Sequence, residues 1–356
     1  QKIRIIRALF DAFAREELAQ ATERAERYRE FVRRKRELLS AYSRSTDCLE
    51  LDQAAFAYAQ WLAHEPLEAV AQLANDAARE QGTLGLYLDL ALGGTASSLE
   101  VQQQMDAYAT ELSMGAPPDE LNLKGQSWGL VPYIPWQLRE LSYTPFVRVL
   151  REGMQYAGAV RIDHAMVLSR VYCVPIGQAT TESGGAYVYS RVRELMAVVA
   201  IESQRARCVV IGEDLGTVPE RFRAMMREYR MLSYKVLWFM QDSEGFVVPA
   251  KYERLSLVVP TTHDLPTIAG FLSGDDNELR QALELFPRPE MFEEYCKRRE
   301  QDVKALMTLL AQHQLCPADI GDIEQMVIAI LALLAGSGSL LYAISLEDVL
   351  GLREQL

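Results

Sequence analysis

Short apolar runs alternate with longer amphipathic stretches along most of this chain after residue 80. Six of the apolar runs have the composition and the length of buried strands. They lie near residues 83–90, 158–162, 208–212, 234–239, 255–260 and 339–344. Helical patterns stand between them, near residues 146–156, 190–206 and 219–229 and across residues 276–335. Strands that alternate with helices predict parallel strands joined by helical crossovers.

This alternation predicts an α/β fold of the (β/α)8 TIM-barrel type. The pattern contains six strands, so we expect the barrel in this chain to be incomplete, with helical insertions. Residues 1–80 carry interleaved charges and no proline before Pro66, which predicts a helical segment inserted beside the barrel. Residues 81–356 are expected to form the catalytic barrel portion. Within it, the glycine- and proline-rich residues 91–145 predict a long active-site loop.

Acidic residues stand directly after three of the predicted strands. The pairs that they form with their neighbours are Asp163-His164, Glu213-Asp214 and His263-Asp264. Successive pairs are separated by about 50 residues, which leaves room for a strand, a helix and two loops. Because parallel barrels build their active sites from the C-terminal ends of strands, we expect the three acids to share one site.

Converging carboxylates indicate glycosidic-bond chemistry. A retaining enzyme uses one carboxylate as the nucleophile and a second group as the proton donor, about 5–5.5 Å apart. Asp163 and Glu213 are the candidates, since neighbouring strand ends of a barrel hold groups at such distances. Arg161 is on the same face of its strand as Asp163, where its guanidinium can hold the carboxylate oxygens in place. Further candidates for contacts with the sugar are Asp89, His164, His263 and Asp264.

Other interpretations of these residues remain open. An acid that follows a strand can cap a helix, which would apply to Asp163 or Asp214. The histidine–aspartate pairs could instead hold zinc, as in a metal-dependent barrel hydrolase. Trp128 and Tyr133 can either stack on the apolar faces of sugars or pack within the protein. The missing strands leave a non-catalytic or degenerate glucan-binding fragment as another hypothesis.

The net charge of −12 and the pI near 5 argue against nucleic acid or an anionic membrane as a partner. The basic residues 33–36 are flanked by Glu30 and Glu37, which indicates a solvated helix face. The apolar residues 326–335 fall short of the roughly 20 that a membrane span needs, so we expect a buried helix there. Five scattered cysteines without a CxxC motif, and an N-terminus without an apolar signal region, predict reduced thiols and a cytoplasmic protein.

Seven segments of the chain form an ordered set of motifs. They are GLYLDLALG (85–93), GAPPDELNLKGQSWG (115–129), GAVRIDH (158–164), VVIGEDLGTVP (209–219), SYKVLWF (233–239), VVPTTHDLPT (258–267) and LEDVLGLREQ (346–355). Together they resemble the 4-α-glucanotransferase (amylomaltase) family, which is glycoside hydrolase family 77 and a relative of the α-amylases. A single motif such as THD is common, whereas the ordered set is specific.

The resemblance implies a retaining transfer of α-1,4-linked glucan segments between maltooligosaccharides, with no cofactor. In the matching motifs Asp163 would be the nucleophile, Glu213 the acid/base and Asp264 the residue that stabilises the distorted ring. The residues that would line the site of bond cleavage are Arg161, His164 and His263. A loop with Asp119, Gln126 and Trp128 would cover the acceptor side, where excluding water favours transfer over hydrolysis.

The chain departs from the family pattern in three places. The family's first two barrel strands and its closing segment have no counterpart in this sequence, and Val101 stands where an aromatic residue is expected. We therefore expect the full set of catalytic acids, with part of the barrel wall outside this chain.

Overall fold

A computed structural model of the chain describes residues 2–41, 52–118, 125–177, 184–243, 245–286, 288–316 and 321–354. The chain divides into two compact units, residues 1–210 and residues 211–356, which are described in turn. Each unit contains parallel strands and helices, in keeping with the alternating pattern of the sequence.

The first 80 residues of the first unit are mostly helical where they are described. The helices are α1 (Lys2–Phe13), α2 (Glu23–Arg34), α3 (Arg36–Ala41) and α4 (Gln53–Gln81), and a π-helical turn (Ala14–Leu18) follows α1. The side chain of Asp52 caps α4 by accepting a hydrogen bond from the backbone N–H of Ala55 (2.8 Å). The helix ends at Gly82, whose φ of 66° suits glycine. An aromatic cluster between the helices contains Phe13, Tyr28, Phe31, Tyr58 and Trp61.

The described residues in the rest of the first unit form strands of two sheets and several helices. The strands are β1 (Tyr87–Leu90), β2 (Leu112–Ala116), β3 (Gln126–Ser127), β4 (Ala159–Ile162), β5 (Arg170–Pro175), β6 (Ala186–Tyr189) and the start of β7 (Val209–Gly212). The helices are α5 (Leu99–Gln103), α6 (Pro135–Glu140), α7 (Thr144–Met154) and α8 (Val192–Ala206). Strands β1 and β4 pair in parallel, with Asp89 opposite Arg161. Val209 donates its backbone N–H to the carbonyl of Gly158 (2.9 Å), so β7 begins beside the start of β4.

The second sheet of this unit is antiparallel, in the order β3-β2-β5-β6. The described part of residues 91–145, which the sequence predicts to be a loop, contains α5, α6, the start of α7 and the strands β2 and β3 of this sheet. The local pattern does not reveal them, because β2 pairs with a strand about 60 residues later in the chain. Such non-local pairing leaves little periodic signal in a strand of five residues that two prolines follow.

The second unit contains the rest of β7 and a parallel sheet in the order β7-β8-β11-β12. Its further strands are β8 (Leu232–Val236), β9 (Gln241–Asp242), β10 (Gly245–Phe246), β11 (Ser256–Val259) and β12 (Leu341–Tyr342), of which β9 and β10 form an antiparallel pair. Its helices are α9 (Glu220–Glu228), α10 (Ile268–Ser273), α11 (Asp275–Ala282), α12 (Pro289–Gln312), α13 (Ile323–Ala335) and α14 (Leu346–Val349). Of the parallel strands, β8 is largely buried and β11 is fully buried.

Strand bounds differ from the prediction where apolar residues continue past the sheet. The strand expected at residues 234–239 begins at Leu232 and ends at Val236, because Leu237–Phe239 forms a 3-10 turn. In that turn Trp238 stacks on Phe271 with ring centroids 3.8 Å apart. This apolar side chain therefore packs outside the sheet. The strands expected at residues 83–90 and 339–344 are shortened to Tyr87–Leu90 and Leu341–Tyr342.

Helix α13 contains the apolar residues 326–335 and buries six of its side chains, as expected for a core helix. Across the described ranges, every helix is too short or too polar to pass through a bilayer.

Glu202 of α8 ties this helix to α7. Its side chain is 4% exposed and accepts two hydrogen bonds from Arg151 (2.8 and 3.1 Å) and one from Arg205 (2.7 Å). The hydrogen bonds from Arg151 lower the pKa of Glu202 below its ordinary value. The hydrogen-bonded pair of Glu202 and Arg151 therefore stabilises the fold above the ordinary pKa of a glutamate. This contribution is lost as the pH falls through the lowered pKa of Glu202.

We expect Glu202→Gln to lower the free energy of unfolding at neutral pH by about 1 kcal/mol. The figure is small for a charged hydrogen bond because both arginines are more than half exposed and solvent screens the pair. Urea unfolding of both proteins over a series of pH values measures this difference. The two curves should converge at acid pH, and a difference that persists after the carboxylate is protonated would contradict the assignment.

Candidate functional site

Arg161 joins two acids at the C-terminal ends of β1 and β4. Its side chain is buried, and Nη1 donates to both carboxylate oxygens of Asp89 (2.9 Å each). The same nitrogen lies 2.8 Å from Oδ1 of Asp163. The backbone N–H of Asp163 donates to the carbonyl of Leu90 (3.1 Å), which ties the end of β4 to the end of β1. The Asp163 carboxylate is thus held by a buried cation, while 49% of its side chain remains exposed.

His164 follows Asp163 in a conformation that non-glycine residues rarely adopt, with φ of 44°. Burial lowers the pKa of its imidazole, and the neighbouring Asp163 opposes this shift. A lowered pKa favours the uncharged imidazole, which has one nitrogen that donates and one that accepts a hydrogen bond. A strained backbone beside a held carboxylate is typical of a functional site.

Trp128 and Gln126 belong to the same neighbourhood of the first unit. The indole contacts the His164 ring edge-on, with centroids 5.2 Å apart, and its Nε1 donates to Oε1 of Gln126 (2.8 Å). Trp128 also packs against the cluster of Met114, Val171 and Cys173. Its half-buried ring therefore both packs within the protein and faces the residue beside Asp163. Asp119, the third residue expected in this loop, lies outside the described residues.

Tyr133 has a structural environment. It packs with the buried residues Val101 and Tyr108, and its hydroxyl donates to Glu100 (3.5 Å). Burial raises the pKa of this phenol well above its ordinary value. Of its two interpretations, packing within the protein is the one that these contacts support. Val101 is fully buried in the same cluster, where an aromatic residue was expected from the family pattern.

Glu213, in the second unit, follows β7 directly. Its side chain is largely buried, and Oε1 accepts a hydrogen bond from the backbone N–H of Leu215 (2.6 Å). Removal from water is an environment in which a carboxyl group can serve as a proton donor.

Asp214 has a role that the sequence argument missed. The helix after this loop begins at Glu220 with Pro219 at its N-cap position, so Asp214 does not cap it. Instead its side chain, 2% exposed, accepts hydrogen bonds from groups of β8 and α9. The donors are the Ser233 hydroxyl (2.6 Å), the Tyr234 backbone N–H (2.9 Å) and Nε of Arg223 (3.1 Å). The sequence contains one signal for this role. Glu213 and Asp214 are consecutive acids after a buried strand, and the side chains of consecutive residues in an extended chain point to opposite faces.

His263 and Asp264 lie in the loop between β11 and α10. They contact each other (Nε2 to Oδ2, 3.4 Å), and both side chains are more than two thirds exposed. Two hydrogen bonds hold the part of this loop that leads into α10. Thr261 donates to the carbonyl of Pro266 (2.7 Å), and the backbone N–H of Ile268 donates to the buried Asp348 (2.7 Å).

The histidine–aspartate pairs do not form a recognisable metal centre. Within the described ranges of the chain, no group of three or more His, Cys, Asp or Glu side chains is arranged to hold a metal ion. The four described cysteines are free thiols, and burial raises the pKa of Cys173 to about 11 and that of Cys208 to about 12. These two thiols are packed and poorly nucleophilic.

Comparison with known proteins identifies the family. A family model described as 4-alpha-glucanotransferase matches residues 7–356. The chain is 37% identical over 302 residues to the 4-alpha-glucanotransferase of Haemophilus influenzae, covering 83% of this chain and 42% of the relative. It is 35% identical over 298 residues to that of Mycobacterium tuberculosis, covering 82% and 41%. The chain thus spans about two fifths of the length of these relatives.

Solved structures support the fold class. An amylomaltase from Corynebacterium glutamicum superimposes with a TM-score of 0.86 at 26% identity, covering 99% of this chain and 52% of that one. An amylomaltase from Streptococcus agalactiae, solved in complex with acarbose, matches with a TM-score of 0.71 at 15% identity, covering 98% and 70%, and shows the fold alone. The TIM-barrel type of fold that the sequence predicts is thereby confirmed.

Proposed function

The chain belongs to the 4-alpha-glucanotransferase family, and we propose that its protein transfers α-1,4-linked glucan segments between maltooligosaccharides with retention of configuration. The observation that carries the proposal is the Asp163 carboxylate, held by Arg161 at the end of β4 and half exposed for attack. The family match supports the reaction type, and the order of Asp163, Glu213 and Asp264 supports the assignment of roles.

In the proposed first step, an oxygen of Asp163 attacks the anomeric carbon of the donor sugar. The bond to the leaving oxygen breaks as Glu213 gives that oxygen its proton, so the shortened glucan departs and a glycosyl ester remains on Asp163. Arg161 prepares this step, because its guanidinium orients the attacking carboxylate. The buried position of Glu213 supports its role as the acid.

In the proposed second step, Glu213 takes a proton from a hydroxyl of the acceptor sugar, and that oxygen displaces Asp163 from the anomeric carbon. Two inversions give net retention. Asp264 stabilises the distorted ring, and His164, His263 and Asp89 contribute hydrogen bonds or charge around it. Trp128 and Gln126 belong to the acceptor side, where excluding water favours a sugar over hydrolysis. Side chains supply every group in this scheme, so it requires no cofactor.

Incubation with maltotriose tests the proposed function. A transferase should release glucose while the maltosyl group moves to a second maltotriose, so that maltopentaose and further longer oligomers accumulate, which chromatography separates. Glucose and maltose without longer products would indicate a hydrolase. Binding of maltotriose without any turnover would instead support the hypothesis of a non-catalytic glucan-binding protein.

The contacts of Arg161 with two carboxylates predict that the rate of glucan transfer depends on this side chain. We expect Arg161→Lys to reduce the rate of transfer about 10–100-fold, because the lysine side chain is one bond shorter and cannot place its ammonium group where Nη1 contacts both carboxylates. Steady-state rates with maltotriose measure the loss. Arg148→Lys, at an exposed position of α7, is the matched control and should leave the rate unchanged. Equal rates for both variants would remove Arg161 from the proposed site.

We also propose that the protein works in the cytoplasm. The free thiols of the described cysteines support a reducing compartment.

A further inference from the structure

We propose that Asp214 is a positioning residue that fixes the carboxyl group of Glu213 for proton transfer. This inference rests on the proposed function, in which Glu213 is the acid/base. It adds a residue that makes no contact with the sugar and acts through its neighbour in the chain.

The contacts of Asp214 connect three elements of the second unit. Its Oδ2 accepts from the Ser233 hydroxyl and from Nε of Arg223, and its Oδ1 accepts from the backbone N–H of Tyr234. Its own carbonyl accepts from Nη2 of Arg223 (3.0 Å). The end of β7 is thereby fastened to β8 and to α9 by a carboxylate that is 98% buried.

These contacts fix the backbone on both sides of Glu213. Gly212, before it, pairs with Ser233 in the sheet, and Asp214, after it, bonds to the same serine. The Glu213 carboxyl itself accepts from the backbone N–H of Leu215, two residues further on (2.6 Å). The position of that carboxyl therefore depends on the path of residues 212–215, which Asp214 holds. A misplacement of about 1 Å can reduce a catalysed rate about 100-fold.

Among side chains of this size and shape, a carboxylate accepts hydrogen bonds at both of its terminal atoms, whereas an amide accepts at its oxygen and donates at its nitrogen. In Asp214→Asn, an amide NH2 at the Oδ2 position would face Nε–H of Arg223, which cannot become an acceptor. An NH2 at the Oδ1 position would face the backbone N–H of Tyr234 instead. Each orientation leaves two donors opposed, so the loop must shift to separate them.

Glu202→Gln is the matched control. Glu202 is also a buried carboxylate that accepts hydrogen bonds from arginine, but it lies on α8 and belongs to no part of the proposed site. The chemical change is the same in both variants. A purely structural role for Asp214 predicts that the two variants lose stability and retain catalytic rate alike.

The experiment compares two donors with the full protein. Maltotriose needs an acid for its leaving oxygen, whereas α-maltotriosyl fluoride does not, because the C–F bond breaks with its electron pair on fluoride while Asp163 forms the new C–O bond. We expect Asp214→Asn to reduce kcat for maltotriose about 100-fold with little change in KM. The initial release of fluoride should change by less than about threefold, since it bypasses the acid. Glu202→Gln should resemble the wild-type protein with both donors.

Each outcome decides a separate point. Equal losses with both donors, or an Asp214→Asn variant that behaves like Glu202→Gln, would overturn the positioning role while the proposed function stands. Absence of longer oligomers with the wild-type protein would overturn the proposed function and this role with it. If Asp214→Asn does not accumulate as folded protein, Ser233→Ala carries the test, because it removes one donor and should give a smaller loss with the same selectivity for maltotriose.

Discussion

Asp163→Asn should reduce the rate of glucan transfer by on the order of 10⁴-fold or more, the scale of loss when an enzyme is deprived of its covalent nucleophile. An amide oxygen is a poor nucleophile and cannot form the glycosyl ester. The replacement keeps the shape of the side chain, and its oxygen can still accept from Arg161. We therefore expect folding to be preserved and chemistry to be lost.

Transfer from maltotriose and urea unfolding, measured on the same preparation, separate these two effects. Asp76→Asn is the control, since Asp76 is a half-exposed residue of α4 whose carboxylate pairs with Arg79. It should retain the wild-type rate. An Asp163→Asn variant that retains more than about a tenth of the rate would exclude Asp163 as the nucleophile.

Glu213→Gln should reduce transfer from maltotriose by roughly 10²–10⁴-fold, the contribution of general acid catalysis. A glutamine can still accept from the backbone N–H of Leu215, so the loop should keep its conformation. The amide has no proton to give to the leaving oxygen. The loss should therefore depend on the leaving group, which distinguishes this variant from Asp163→Asn.

The leaving group can be varied with α-maltotriosyl fluoride. The first release of fluoride by Glu213→Gln should approach the wild-type rate, whereas Asp163→Asn should be slow with both donors. A Glu213→Gln variant that is equally slow with both would assign Glu213 a role other than that of the acid.

The arrangement of the strand ends could be predicted because its signals are local. The apolar residues 158–162 and 208–212 correspond to the buried strands β4 and β7, and an acid follows each of them directly. The spacing of two between Arg161 and Asp163 was enough to place them on one face, and the observed contact of 2.8 Å agrees. The predicted helical segment of residues 1–80 also agrees with the end of α4 at Gln81, where Gly82 follows with a positive φ.

What the sequence could not predict depends on distant partners. Strand β2 is defined by its pairing with β5, so residues 91–145 resembled a loop. Asp214 resembled a helix cap, since its partners Ser233 and Tyr234 follow about 20 residues later and depend on the alignment of β7 with β8. Trp128 was ambiguous for the same reason, because its contact with His164 joins a turn after β3 to the end of β4.

The identity of the nucleophile is the central claim, and trapping the covalent intermediate tests it most directly. Glu213→Gln treated with α-maltotriosyl fluoride should accumulate the glycosyl-enzyme, since the base that activates the acceptor is also absent. Trypsin cleavage after Arg161 and Arg170 releases residues 162–170, in which Asp163 is the single carboxylate side chain. Mass spectrometry should find this peptide heavier by one maltotriosyl group. An unmodified peptide, with the maltotriosyl group bound elsewhere in the chain, would contradict the assignment of Asp163.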